Sequence, residues 1–255
     1  MSRPDFKGLF PVGAVFIAFI LTLLCLFAGT QRNLLDGADI LTLYTPEGES
    51  TSDVHEFYSI HVMSYCQGTL GTVEPGLPGN ARNVTQCSDR QILFSFDLTD
   101  AWSEGITHGP TLEWPRVISD DFHAFRLTTQ SMAVLFCIGV SAMGAVLLVR
   151  VSSLITQRTQ QGLFEFGFLV LGSLSMSIAS IIATVVAFEF VALINAHGDG
   201  SNVSASYGSK FLGMTWAAAG LLLAASIASF INVFVRVPHV APPPVTKDEE
   251  EGLEG

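Results

Sequence analysis

Residues 127–149 read LTTQSMAVLFCIGVSAMGAVLLV, 23 positions without a formal charge. At 1.5 Å of rise per residue such a run crosses a hydrocarbon core of about 30 Å, which takes about 20 apolar residues. Three more stretches have the same character: 9–29 with 21 uncharged residues, 166–188 with 23, and 211–235 with 25. Each has to be helical, because backbone N–H and C=O groups find no water in lipid and need partners within the segment. Composition agrees. Hydrophobic residues make up 49% of the 255 and charged residues 14%, against about 25% charged in a soluble domain. So few charges cannot cover a water-facing surface. The first run exceeds the roughly 7–15 residue core of a secretory signal, and no A-x-A site follows, so it reads as a retained anchor.

The chain therefore divides into a cytosolic tail (1–8), a first span (9–29), a long outer loop (30–126), a second span (127–149), a cytosolic connection (150–162), a third span (163–194), a short outer connection (195–210), a fourth span (211–235) and a cytosolic tail (236–255). The sidedness comes from the positive-inside rule, which counts Lys and Arg in short segments. Arg3, Lys7, Arg150, Arg158, Arg236 and Lys247 lie on one side, and Lys210 alone lies in the short connection of the other. The chain's two N-glycosylation sequons, at Asn83 and Asn202, fall on the side the rule places outside. Cys66 and Cys87 lie there too, where the compartment is oxidising and a disulfide persists. Closing that loop stabilises the fold by about 3 kcal/mol in the chain-entropy model. Metal binding is the weaker reading, since a closed zinc site takes four ligands. Cys25 and Cys137 sit inside spans as small packing residues.

The outer loop is expected to fold. Ile40–Tyr44, Phe57–Tyr65 and Gln91–Leu98 are rich in aromatic and β-branched residues, and turn-forming clusters such as GTVEPGLPG (71–79) separate them. The expectation is a membrane all-α fold: a four-helix transmembrane bundle carrying a small, disulfide-stapled antiparallel sheet in its first outer loop. Trp102 and Trp114 either plug that sheet or lie at the lipid headgroups.

Residues 30–126 hold 14 acidic and five basic side chains, a net of −9 within a chain of −11. Five of the six histidines, His55, His61, His108, His123 and His197, fall on the outer side. Histidine titrates near physiological pH, so these residues are candidates for a pH-responsive surface, weighed against their being ordinary surface groups.

Small residues recur at four-residue spacing along two spans: Ser175, Ala179, Ala183 and Ala187 in the third, and Gly220, Ala224 and Ala228 in the fourth. Lipid supplies no hydrophobic drive between helices, so spans associate through close backbone approach. Packing within the chain and contact with another subunit both use that physics. Glu165 and Glu189, about 36 Å apart along a helix, sit at opposite interfaces, and no charge lies near the midplane of any span, which argues against a pump or transporter. The proline-rich, acidic tail from Ala241 cannot bury a core and reads as a solvated end.

Catalytic motifs are not evident. His61 follows His55-Glu56 at six residues where a helical H-E-x-x-H pair needs four, and Gly139-Val140-Ser141 lacks the closing glycine of a nucleophile elbow. No phosphate-binding glycine loop and no basic nucleic-acid face occurs. The expectation is a protein that is not an enzyme and uses no cofactor, metal, nucleic acid or small-molecule substrate. Its expected partners are membrane lipids and other membrane or cortical proteins, a second copy among them.

Four spans, a stapled first outer loop and short termini together resemble the claudin-like class. Within it the chain resembles the fungal Sur/PalI family of cortical plasma-membrane proteins. The residues that carry the likeness are the aromatic strand ending in Tyr65-Cys66-Gln67-Gly68, then Val84-Thr85-Gln86-Cys87-Ser88, then Phe94-Ser95-Phe96-Asp97-Leu98 with Trp102 after it. This motif covers about 45 residues, whereas the topology covers the whole chain. Where relatives often carry a Gly-Leu-Trp step before the first cysteine, this chain has His61-Val62-Met63. Where related mating proteins that assist calcium influx have glycine, it has Ser64, which speaks against a calcium role. The resemblance implies a role in organising cortical membrane domains of the eisosome type, linked to endocytosis and cell-wall integrity. The PalI branch implies instead an accessory part in ambient-pH signalling.

Overall fold

The computed structural model describes residues 6–30, 35, 37–45, 56–71, 81–89, 116–156, 162–197 and 203–235. The expected strand Gln91–Leu98, Trp102, Trp114, most of the turn-rich 71–79 segment and the acidic tail lie outside them. Four helices form the body: α1 (Phe6–Phe27), α2 (Arg116–Thr156), α3 (Gly162–His197) and α4 (Ser209–Phe230), the last ending in a π-helical turn, Ile231–Val235. Each contains a stretch long and apolar enough to cross a membrane. The protein is a multi-pass membrane protein with four spans. The helices neighbour one another in a ring, with α1 against α2 and α4, and α3 against α2 and α4.

α2 is 41 residues long, about 60 Å and so about twice the hydrocarbon thickness. Its membrane stretch begins at Arg126; the preceding residues, from Arg116, continue the same helix beyond it. The sequence reading places 116–126 in the long loop. Asp120, Asp121 and Arg126 end the apolar run there, and a run of apolar residues is blind to a helix that leaves the membrane.

Side chains small enough for close approach bring α2 and α3 together. A Cβ on Gly139 would lie 2.9 Å from the Met176 sulfur, and one on Gly172 would lie 3.5 Å from the Ala142 methyl. Ser175, Ala179, Ala183 and Ala187 are all buried within the bundle. The fourth-span trio behaves differently. Thr215, Ala218, Ala219, Leu222, Ala225, Ser226 and Ser229 form the buried face of α4, whereas Gly220 is exposed and Ala224 and Ala228 are half-buried. A Cβ on Gly220 would meet nothing within 4 Å. The expected packing stripe on α4 therefore points away from the chain's own bundle, because the helix is apolar all round and spacing alone does not say which small face turns inward. Two side-chain hydrogen bonds tie α4 to α3: the Trp216 indole N–H donates to Thr184 Oγ1 at 3.0 Å, and Ser226 Oγ donates to the Leu169 carbonyl at 3.3 Å.

One end of the bundle carries a five-stranded antiparallel sheet in the order β4-β3-β2-β1-β5. Its strands are β1 (Leu41–Tyr44), β2 (Phe57–Ile60), β3 (Tyr65–Gly71), β4 (Ala81–Cys87) and β5 (Ser204–Tyr207). Two features correct the sequence expectation. The run Phe57–Tyr65 is a hairpin rather than one strand: His61 N–H donates to the Ser64 carbonyl, and β3 starts at Tyr65. The turn escapes notice because its tip is apolar: Val62 and Met63 are buried in the same cluster as Cys25, Leu26, Phe136 and Phe211 of the helices. The sheet also draws its fifth strand from the connection between α3 and α4, so it is not built from the first loop alone.

Period-two alternation fixes which face of the sheet meets the helices. Leu41, Leu43, Tyr58, Ile60 and Ala205 share one face and pack against Val186, Phe190 and Ile194 of α3. Their register is direct, Leu41 opposite Ile60 and Leu43 opposite both Tyr58 and Ala205.

Candidate functional site

The region that joins sheet to bundle is built around the end of α1. Gly29 follows the helix with φ +71°, the left-handed conformation that terminates helices and that side-chain-bearing residues rarely adopt. Three groups from the β2–β3 hairpin converge on it. The His61 ring fills the place where a side chain at position 29 would start. Ser64 Oγ donates to the Gly29 carbonyl at 3.1 Å, and the Cys66 sulfur touches the same oxygen at 3.1 Å as a packing contact, since a disulfide sulfur has no proton to give.

His61 is 2% exposed. Its Nδ1 lies 3.2 Å from the Ala38 carbonyl and its Nε2 lies 3.4 Å from Ser59 Oγ. This corrects the placement of His61 on the surface: its ring is buried and held against backbone. His55 and His108 lie outside the described residues, and so do the side chains of His123 in α2 and His197 at the end of α3.

Cys66 and Cys87 form a disulfide, with S–S 2.08 Å, between directly paired positions of β3 and β4. Around it the Tyr-Cys-Gln-Gly and Cys-Ser steps acquire physical roles. Ser88 N–H donates to the Tyr65 carbonyl at 2.8 Å and Tyr65 N–H donates to Ser88 Oγ at 3.0 Å, a reciprocal clasp just past the disulfide. Gly68 sits at a register shift. A Cβ there would lie 2.1 Å from the Asn83 carbonyl oxygen and 2.8 Å from the Phe57 ring, so no larger residue fits.

Across the other face of the sheet, Arg82 of β4 reaches Asp39 at the entry to β1. The ion pair is 3.6 Å, with Asp39 almost wholly buried. The guanidinium also donates to the Tyr44 hydroxyl at 2.6 Å and lies over the Tyr44 and Phe57 rings. Thr42 Oγ1 donates to the Asp39 carboxylate as well. A buried carboxylate is costly unless so satisfied.

The fifth strand is locked by two residues that the sequence reading missed. Asn195, in the last turn of α3, imitates a neighbouring strand: Ala205 N–H donates to its Oδ1 at 2.8 Å, and its Nδ2 donates to the Ala205 carbonyl at 3.1 Å. Gly208 caps α4 and donates from its N–H to the Ile40 carbonyl at 2.9 Å. A Cβ there would fall 1.5 Å from the Asp39 carbonyl oxygen. The signal for both lies in Asn195 and Gly208 bracketing the β-branched and small residues of 203–207, a pattern too short and polar to read as a strand.

Of the sequons, Asn83 lies exposed on β4 and Asn202 lies outside the described residues. At the opposite end of the bundle Arg150 Nε donates to the Glu165 carboxylate at 2.6 Å, tying α2 to α3. Among the described residues no group of His, Cys, Asp and Glu is placed to hold a metal ion.

Comparison with curated proteins gives no match. The family model of the SUR7/PalI family matches residues 8–228, from the start of α1 almost to the end of α4 and through every strand of the sheet. The chain belongs to the SUR7/PalI family.

Proposed function

We propose that this four-span protein is a non-enzymatic organiser of plasma-membrane domains at the cell cortex, with both termini in the cytosol and the sheet outside. The observation that carries the reading is the contrast between the two halves of the molecule. The sheet is tied rigidly to the bundle at Gly29, Asn195 and Gly208. Gly220 of α4, by contrast, is exposed with open space beside it, and Ala224 and Ala228 continue its face half-buried. Small residues let two helix backbones approach closely in lipid, so this face suits lateral contact with a second copy or another span. The positive-inside pattern, the disulfide and the exposed Asn83 on β4 all support an outward sheet.

A fluorescent fusion of the full chain tests the reading. Stable cortical patches are expected, and Gly220→Leu together with Ala224→Leu should disperse them without lowering the surface amount. Patches unchanged by those substitutions would remove the lateral-contact basis. A second reading, an accessory part in ambient-pH signalling, draws on the net −9 of residues 30–126. A diffuse fusion combined with lost growth at alkaline pH on deletion would favour it instead.

A further inference from the structure

Between α1 and α4, at the sheet end, lies an open-sided groove of about 420 Å³, within the roughly 300–1,000 Å³ range of sites that hold small molecules. Its walls are Leu21 of α1 and Met214 and Ala217 of α4, with Gly213 between them and Lys210 at its mouth. We propose that the groove binds a membrane lipid with a net-anionic phosphodiester headgroup, the phosphate on Lys210 and an acyl chain along Gly213 and Ala217. The proposal rests on the four-span reading but not on the cortical role.

Depth is the first support. Lys210 is the second residue of α4, where the membrane stretch starts at Ser209, so its ammonium stands at headgroup level. Ala217 lies about 10 Å further along the helix, inside hydrocarbon. The groove therefore runs from the interface inward, the direction in which a lipid lies. Its floor is unfilled: a Cβ on Gly213 would meet nothing within 4 Å.

Charge complementarity is the second. Lys210 is the only Lys or Arg of residues 195–210, and among the described residues no carboxylate pairs with it. The carboxylate of Asp39, next to Ala38 in the groove lining, is engaged by Arg82 and Thr42, and Asp36 lies outside the described residues. The lysine also sits in the first turn of α4, where the helix macrodipole disfavours a cation; a phosphate there would offset both charges. Gly37 keeps the mouth open, since a Cβ on it would lie 3.0 Å from Lys210 Nζ.

Native mass spectrometry of the purified full chain, given equal amounts of phosphatidylglycerol and phosphatidylcholine, tests this. Wild type should retain phosphatidylglycerol preferentially, and Lys210→Gln should reduce that preference by about fivefold, the upper end of what one exposed charge pair contributes. Lys210→Arg should keep it. Ala217→Phe, which fills the groove, should abolish retention of either lipid at this site. Millimolar inorganic phosphate should not displace the lipid, because the acyl chain supplies part of the binding. Wild-type lipid preference in Lys210→Gln, or full retention in Ala217→Phe, overturns the proposal. An unaltered melting temperature and an intact disulfide in each variant establish that folding is not the cause. A wild-type fusion that forms no cortical patches, with lipid retention intact, would count against the organiser reading alone.

Discussion

The imidazole of His61 occupies the space that a side chain on Gly29 would need: a Cβ at position 29 would lie 2.1 Å from the ring's Cδ2. Gly29→Ala should therefore suffer twice, from the left-handed backbone and from the ring, at about 2 kcal/mol or more. Thermal unfolding of the purified chain measures this. Adding His61→Ala should restore the steric part and leave the backbone part. A Gly29→Ala protein that melts with wild type would mean that the ring does not rest on the helix end.

Removing the disulfide should cost about 3 kcal/mol for its separation of 21 residues. Cys66→Ala with Cys87→Ala is the cleaner variant, since each single change leaves a reactive thiol. Hydrogen exchange should rise in β3 and β4 first and leave the spans protected. Equal exchange in both proteins would show that the sheet holds its form without the covalent tie.

Asn195→Ala deletes two hydrogen bonds to Ala205 and leaves that strand's backbone short of partners, a loss of about 1–2 kcal/mol. Gly208→Ala should do more damage, because the obstacle is the backbone oxygen of Asp39 and not a side chain that can swing aside. Exchange confined to β5 is expected for the asparagine variant and loss of surface delivery for the glycine variant.

Arg150 and Glu165 are unequal partners, the carboxylate buried and the guanidinium about a third exposed. Arg150→Met strands a buried charge and should destabilise by about 3 kcal/mol. Arg150→Met combined with Glu165→Leu should recover most of that, since an apolar pair costs nothing in desolvation. Additive losses in the double variant would contradict the coupling.

Tyr58 lies on the sheet face that meets α3, and burial first, then the neighbouring Tyr65, pushes its hydroxyl above the ordinary value of 10. The folded state thus favours the neutral phenol. That contribution is complete below pH 10 and is lost as pH climbs through the raised value. Ultraviolet titration should find one of the four tyrosines ionising late, and Tyr58→Phe should remove that component and raise the alkaline midpoint of unfolding. A late component that survives in Tyr58→Phe would assign it elsewhere.

The spans were plain in the sequence because lipid imposes one requirement, an unbroken apolar run, and the residues of 127–149 meet it without help from distant contacts. The disulfide was legible because Cys66 and Cys87 share the long loop that the charge rule places outside. What escaped depended on contacts remote in sequence. Val62 and Met63 turn the chain despite lacking turn residues, because burial against Phe136 and Phe211 holds them there. Ser204–Tyr207 becomes a strand only because β1 and Asn195 supply partners. The inward face of α4 could not be chosen from spacing, since Gly220 and Ala219 are neighbours on a helix apolar on every side. His61 looked like a surface group by residue type, and only the hairpin's insertion buries it.

The position of β5 in the strand order has a consequence for biosynthesis. β1 is among the first parts of the sheet to leave the ribosome, yet one of its edges stays open until Ser204–Tyr207 arrives between the last two spans. A nascent chain that stalls or is truncated before that point exposes an unsatisfied row of backbone groups on β1. Completion of the sheet is thereby a molecular receipt that synthesis has passed the third span and reached the threshold of the fourth.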